Sequence, residues 1–389
     1  MTEPDRTDWP LVLLLWGAGL GAAAQYGKVS VVFDRLPAIW PEAGAAVGFA
    51  VSLVGAVGIL LGVAAGVLVA HLGYRRAILT ALVAGAAISV FEALTPPLWL
   101  FLLARCVEGA AHLALVVAIP TMIAEVTAPR DRGLALTLWG TFFGVAFAVL
   151  AWCGLPLVPW IGVPGLWLLH AVYMAVMAAF LAPLLPRIRT APPEPVRISE
   201  LVLAHGRIYS SPFLSAPAAG WLCYTLSYVS LLTVLPPALP EGTRALTMGL
   251  LPLLSILSSM TLGVWLLRVM SAVSVSIAGF AASCAVALAM AAFGISPALA
   301  LLLGGTLGLV QGSGFAAVPQ LNGAVADRAL ANGGLAQMGN LGNTLGTPIL
   351  VAVIAVGGYE GVTWLLATIF AAGAGVHLAL AAVRKGTPA

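Results

Sequence analysis

The chain has 389 residues, 61% of them hydrophobic, while 17 Lys+Arg and 14 Asp+Glu make up only 8%, against roughly 25% charged in an ordinary soluble domain. Too few polar side chains exist to cover a soluble fold, and the long unbroken apolar runs lack the alternation of membrane β-barrel strands. What remains is a polytopic helical membrane protein: twelve spans of roughly 22 residues use about 264 positions and leave about 125 for loops and tails, which excludes a soluble catalytic domain.

Residues Met1 to Pro10 hold Glu3, Asp5 and Asp8 against one basic residue, Arg6, so no cleaved secretory signal with a basic start is expected. Apolar runs bounded by charges or Pro/Gly clusters then fall at 11–33, 44–70, 77–94, 98–123, 133–158 and 164–186, and again at 213–235, 244–267, 272–293, 297–325, 331–357 and 360–383. They predict an all-α polytopic membrane protein with twelve transmembrane helices in two pseudo-symmetric six-helix bundles, over 1–186 and 213–389. The intervening 187–212 contains Pro192, Pro193, Pro195 and four arginines and reads as a stiff, partly extended cytoplasmic linker. Weak internal matches support duplication. Val107-Glu108-Gly109 pairs with Val310-Gln311-Gly312 at an offset of 203, Gly140 and Gly144 with Gly342 and Gly346 at 202, and Leu61-Gly62-Val63 with Leu262-Gly263-Val264 at 201.

With both termini cytoplasmic, thirteen Lys and Arg residues fall on inner tails and loops and only Arg35 and Arg244 outside, which sets the orientation in an inner (cytoplasmic) membrane. The net charge of +3 is then a consequence of topology, and no nucleic-acid partner is expected. Cys106, Cys153, Cys223 and Cys284 lie far apart in apolar segments and show neither C-x-x-C spacing nor a disulfide framework. The last two cations, Lys28 and Arg105, fall inside predicted spans.

Arg105, Glu108 and His112, at i, i+3 and i+7, lie within about 60° of one another on the fourth helix. Charges at mid-bilayer cost about 2.5–3.5 kcal/mol each, so this stripe faces protein or a water-filled cavity. Lys28 and Arg105 each lie seven residues, roughly 10 Å, from the outer end of their spans and so share a depth. A competing reading makes Arg105–Glu108 a purely structural intrahelical ion pair, with Lys28 snorkelling outward. His112 reads either as a packing residue or as a proton carrier, and Glu108 with His112 lacks the third ligand a metal needs, so no metal or cofactor is expected. Glu92, at the end of the third helix, reads as interfacial. Gln25, Tyr224, Ser227, Tyr228, Gln311, Asn322, Gln337, Asn340 and Thr344 are polar positions suited either to lining a cavity or to hydrogen bonds between helices. Gly58, Gly62 and Gly66, then Ser255, Ser259 and Gly263, and the pairs Gly140/Gly144 and Gly342/Gly346 repeat every four residues, as close-packing faces do.

Between the second and third helices, Gly66-Val67-Leu68-Val69-Ala70-His71-Leu72-Gly73-Tyr74-Arg75-Arg76 resembles the cytoplasmic signature G-x-x-x-D-x-x-G-R-R/K of the major facilitator superfamily of secondary transporters. Ala70 replaces the usual Asp and Tyr74 the first Arg, which weakens the charge relay the signature implies. Arg105-Cys106-Val107-Glu108-Gly109 resembles the family's R-x-x-x-G motif, and the stretch from Arg105 to Gly144 is similar to cyanate-permease-like members. Gly140 and Gly144 stand where the antiporter motif would end in Gly-Pro, which is absent; by the resemblance this tilts away from drug/proton antiport.

The resemblance implies that helices 1 and 4 face one cavity and that Gly66, Gly73, Arg75 and Arg76 form a gating motif. It further implies that helices 2, 5, 8 and 11 form a seam about which two bundles rock. Lys28, Arg105, Gln25, Tyr224, Tyr228, Gln311 and Asn340 are then the substrate-binding candidates, with Glu108 and His112 in proton coupling. Lys28, Arg105 and Glu108 together carry a net charge of +1, which favours an anionic group. The expected function is secondary active transport of a small organic anion by alternating access, coupled to protons, by a monomer whose other partner is the lipid bilayer. The alternative is an exporter of amphipathic compounds, with Trp16, Tyr26, Tyr224, Tyr228 and Phe315 lining a greasy cavity. An enzyme is not expected: no phosphate-binding G-x-x-x-x-G-K-[ST] loop occurs, and no zinc motif or Ser/His pairing at helical spacing is evident.

Overall fold

The Asp8 carboxylate accepts a hydrogen bond from the Leu11 backbone N–H at 3.1 Å and Pro10 sits in the first turn, so helix α1 (Trp9–Ser30) starts where the first apolar run begins. The computed structural model describes residues 5–62, 64–186 and 198–386, and every regular element among them is helical. After α1 come α2 (Gly44–Leu61), α3 (Ala65–Leu72), α4 (Tyr74–Ala93), α5 (Leu98–Glu125), α6 (Arg132–Gly140) and α7 (Phe142–Leu184). They are followed by α8 (Ile198–Ser210), α9 (Ser215–Val234), α10 (Glu241–Leu266), α11 (Ala272–Phe293), α12 (Pro297–Leu321) and α13 (Val325–Lys385). Eight helical stretches among the described residues are long and apolar enough to cross a membrane. Two of them are bent back by glycine: Gly162 in α7 has φ 73° and Gly358 in α13 has φ 61°, a region that a side chain would strain.

The chain divides into two compact units, Met1–Val196 and Arg197–Ala389. In the first, α1 packs against α5 and α7, and α4 packs against α5 and α7. Its apolar core includes Leu15, Ile78, Leu82, Leu115, Ile119 and Met174, all shielded from solvent. A Cβ on Gly109 would collide with the Val54 carbonyl, so α5 reaches the backbone of α2 only because this position is glycine. In the second unit α13 packs along α9 and α11, and α12 along α10 and α11; here Gly308 lies against the Ser255 carbonyl.

Two expectations are corrected. The run at 44–70 is not one helix: 3-10 turns at Gly44–Gly48 and Leu53–Gly55 alternate with short α turns, and the chain turns again before Ala65. Glycine and small side chains hold an α-helical register weakly there. The second half of the 187–212 linker is not extended but forms α8, tied to the second unit by an Arg207–Asp327 ion pair of 2.6 Å and a Tyr209 hydroxyl donating to Gln337 at 2.7 Å. The proline-rich stretch with Pro192, Pro193 and Pro195 lies outside the described residues.

Candidate functional site

Glu92, near the end of α4, and Arg105 and Glu108, one turn apart on α5, meet Lys28 near the end of α1. Lys28 Nζ lies 2.6 Å from Glu92 Oε2 and 2.7 Å from Glu108 Oε1, while Arg105 Nη1 lies 3.2 Å from Glu92 Oε1 and hydrogen-bonds Glu108 Oε2. Each carboxylate therefore bridges both cations, one oxygen to each, in an alternating ring of Lys28, Glu92, Arg105 and Glu108. All four side chains are fully buried. Two cations face two carboxylates, so the ring is formally neutral, the condition under which four charges can stay in a dry interior. Glu92 is therefore not interfacial, as its place at the helix end suggests, and counting it takes the cluster from a net +1 to zero.

The ring's remaining donors are also satisfied. The Ser89 hydroxyl, one turn before Glu92, accepts from Lys28 at 2.5 Å, and Arg105 donates from Nε to the Ala50 carbonyl at 2.7 Å and from Nη2 to the Gln25 carbonyl at 2.6 Å. Next to Lys28, Trp40, Phe101 and Trp167 form an aromatic cluster, with tilted rings 4.7 Å apart for Trp40–Phe101 and 5.1 Å for Phe101–Trp167. The Trp167 indole donates to the Lys28 carbonyl at 3.2 Å and the Trp40 indole to the Pro96 carbonyl at 3.0 Å. Glu92, which the sequence alone leaves at a bare helix end, is fully buried.

Two histidines flank the ring in opposite tautomers, each fixed by a backbone carbonyl of α1, which only accepts. His112 Nδ1 donates to the Ala22 carbonyl at 3.0 Å and lies 3.2 Å from Gln25 Oε1, with Tyr26 edge-on at 5.2 Å, which leaves Nε2 as its basic nitrogen. His170 Nε2 donates to the Gly21 carbonyl at 3.0 Å, so its Nδ1 accepts from Ser89 at 2.8 Å. Ser89, Glu92 and His170 are the site residues the sequence reading missed. The signals for two of them were there, a carboxylate and an imidazole inside apolar runs, whereas nothing in the sequence singles out Ser89.

Lys28, Arg105, Glu108, His112 and Gln25 are thus brought together in the first unit. Tyr224, Tyr228 and Gln311 belong to the second, where Tyr224 stacks on Tyr228 at 5.1 Å and on Trp221 at 4.7 Å, and Phe315 meets Trp221 at 4.7 Å. Ser255 donates to Gln311 at 3.4 Å, whereas Asn340 turns its amide back onto the Ala336 carbonyl at 2.9 Å on its own helix. In the expected gating motif Gly66 lies in α3, and Gly73, at φ 80°, makes the turn into α4. Arg75 donates to the Leu185 and Ala182 carbonyls at 3.2 and 2.7 Å, closing the end of α7, while Arg76 is exposed. Among the described residues no three His, Cys, Asp or Glu side chains are grouped to hold a metal.

No curated protein matches the sequence. A family model described as Major Facilitator Superfamily matches residues 15–325, a span that takes in the whole ring, the glycine turn at Gly73 and the aromatic stack of the second unit. With 311 of 389 residues inside that match and a chain built of membrane-length apolar helices, this multi-pass membrane protein belongs to the Major Facilitator Superfamily of secondary transporters.

Proposed function

We propose that the chain is a proton-coupled symporter of a small organic anion, with twelve spans, both termini cytoplasmic, in an inner membrane. Support for twelve comes from adding α1 and α9 to the eight long apolar stretches and dividing α7 and α13 at Gly162 and Gly358. The observation that carries the functional reading is the saturated ring, in which both cations are already neutralised by Glu92 and Glu108. A second anion has no reason to enter a neutral ring. Once Glu108 takes a proton the ring holds a net +1, and an anionic group restores neutrality, so proton and substrate bind as a pair. His112, one turn along α5 from Glu108 and with a basic Nε2, is suited to pass that proton. The two bundles then alternate access with charge compensated, and the cyanate-permease-like likeness of Arg105 to Gly144 favours a small substrate.

The test uses proteoliposomes and ligands chosen from a panel of small mono- and dicarboxylates by their thermal shift of the purified protein. Lys28→Ala and Arg105→Ala abolish binding. Glu108→Gln retains counterflow exchange but loses accumulation driven by a pH gradient, because exchange needs no proton release. Retained pH-driven accumulation in Glu108→Gln would remove the proposed role of Glu108. A second reading, export of amphipathic compounds, is favoured by the stack of Trp221, Tyr224 and Tyr228 with half-exposed Phe315. It predicts thermal shifts from uncharged aromatic ligands that survive Lys28→Ala.

A further inference from the structure

Lys28 and Arg105 share the ring but are held in different ways. The Arg105 guanidinium is fixed by two backbone carbonyls, Ala50 of α2 and Gln25 of α1, independently of the carboxylates. The three short contacts of the Lys28 ammonium are all to side chains: Ser89, Glu92 and Glu108. An ammonium only donates, so the Ser89 hydroxyl accepts from Lys28 and its single proton goes to His170 Nδ1, while His170 Nε2–H is spent on Gly21. The hydrogen bonds therefore run one way, from Lys28 through Ser89 and the neutral His170 imidazole, and they end on the Gly21 carbonyl of α1.

The geometry points to a division of labour: Arg105 is a fixed post, Lys28 is the mobile cation that leaves the ring to meet the anionic substrate, and Ser89 with His170 is the latch that holds Lys28 in the empty carrier. This rests on the symport reading above. When Glu108 is protonated Lys28 loses one of its two counter-charges, and its flexible four-carbon stem lets the ammonium swing, while Arg105 keeps both carbonyls. Ser89 and His170 are positioning residues; they act on the substrate only through Lys28.

The chain has just two lysines, Lys28 and the exposed Lys385, which makes the latch measurable without a substrate. Formaldehyde with a borane reductant methylates an amine only when it is accessible and neutral, and peptide mass spectrometry of the full-length protein reads both lysines, with Lys385 as internal reference. In the wild type Lys28 reacts far more slowly than Lys385. Ser89→Ala raises the Lys28 rate about tenfold, the factor for losing one hydrogen bond to a charged group, and His170→Leu, which removes the partner behind Ser89, raises it by a smaller factor. His170→Gln stays near the wild type, because its amide accepts from Ser89 and donates to Gly21 without a titratable proton. Glu108→Gln, mimicking the protonated carboxylate, also raises the rate.

Equal protection of Lys28 in the wild type, Ser89→Ala and His170→Leu overturns the latch. So does an equal rise in Ser276→Ala, which breaks a buried hydroxyl pair with Ser313 in the other unit and reports only general loosening. No change in Glu108→Gln overturns the mobile role of Lys28. If the labelling pattern holds but no carboxylate ligand alters it, the symport reading fails and the latch stands.

Discussion

Glu92 gives one oxygen to each cation of the ring, so removing it leaves a fully buried cluster with one uncompensated positive charge. Breaking a buried charge set in this way costs about 3–5 kcal/mol. Glu92→Leu is therefore expected to unfold at a clearly lower temperature in detergent, and Lys28→Met added to it recovers part of the loss by restoring neutrality. A single mutant as stable as the wild type would mean that water reaches the ring. Lys28, Arg105 and Glu108 were legible in the sequence because a charge inside an apolar run has few places to go. Glu92 is not legible as part of the ring because its partners, Lys28 of α1 and Arg105 of α5, come from two other helices, and sequence spacing does not encode that convergence. Ser89 was invisible for a related reason: its importance lies in what the hydroxyl links, Lys28 to His170.

Helices were placed well wherever apolar runs were long and their ends were marked by capping residues, as at Asp8, Ser271 and Ser296, whose side chains accept from Leu11, Ser274 and Leu299 backbone N–H groups. The stretch 44–61 was less legible, since its apolar pattern suits an α-helix while its backbone alternates with 3-10 turns. Helix α8 is not legible within the partly extended linker expected over 187–212, because the prolines before it dominate that stretch. Close packing was anticipated from four-residue glycine spacing, but the spacing alone does not say which glycines matter. Gly342 and Gly346 do lie tight against α9, whereas a Cβ on Gly140 would meet open space. On α12 the contrast is sharp: a Cβ on Gly308 would strike the Ser255 carbonyl, and one on Gly305 would meet nothing. Gly308→Ala is accordingly expected to lose about 1–3 kcal/mol by overpacking and Gly305→Ala to be neutral, as read by thermal unfolding of the two variants side by side. Equal stability would mean that α10 and α12 separate at little cost.

The two units differ in chemistry. Where the first has Arg105 and Glu108, positions 308 and 311 of the second are glycine and glutamine, so charge is concentrated in the first unit and the second offers aromatic faces. The positive-inside count predicts that tags at either terminus or within 187–212 are reachable only from the cytoplasm, and tags near Glu241 or Gly358 only from outside; one reversed tag would contradict the twelve-span topology. The proposed coupling rests on a simpler point, that a neutral ring would accept an anion only together with a proton. The most direct measurement is proton uptake by the purified protein on adding a carboxylate ligand in weakly buffered solution, with the bound ligand counted in parallel. The account predicts about one proton taken up per anion bound in the wild type and none in Glu108→Gln, which already carries the neutral side chain. Anion binding to the wild type without proton uptake would contradict it.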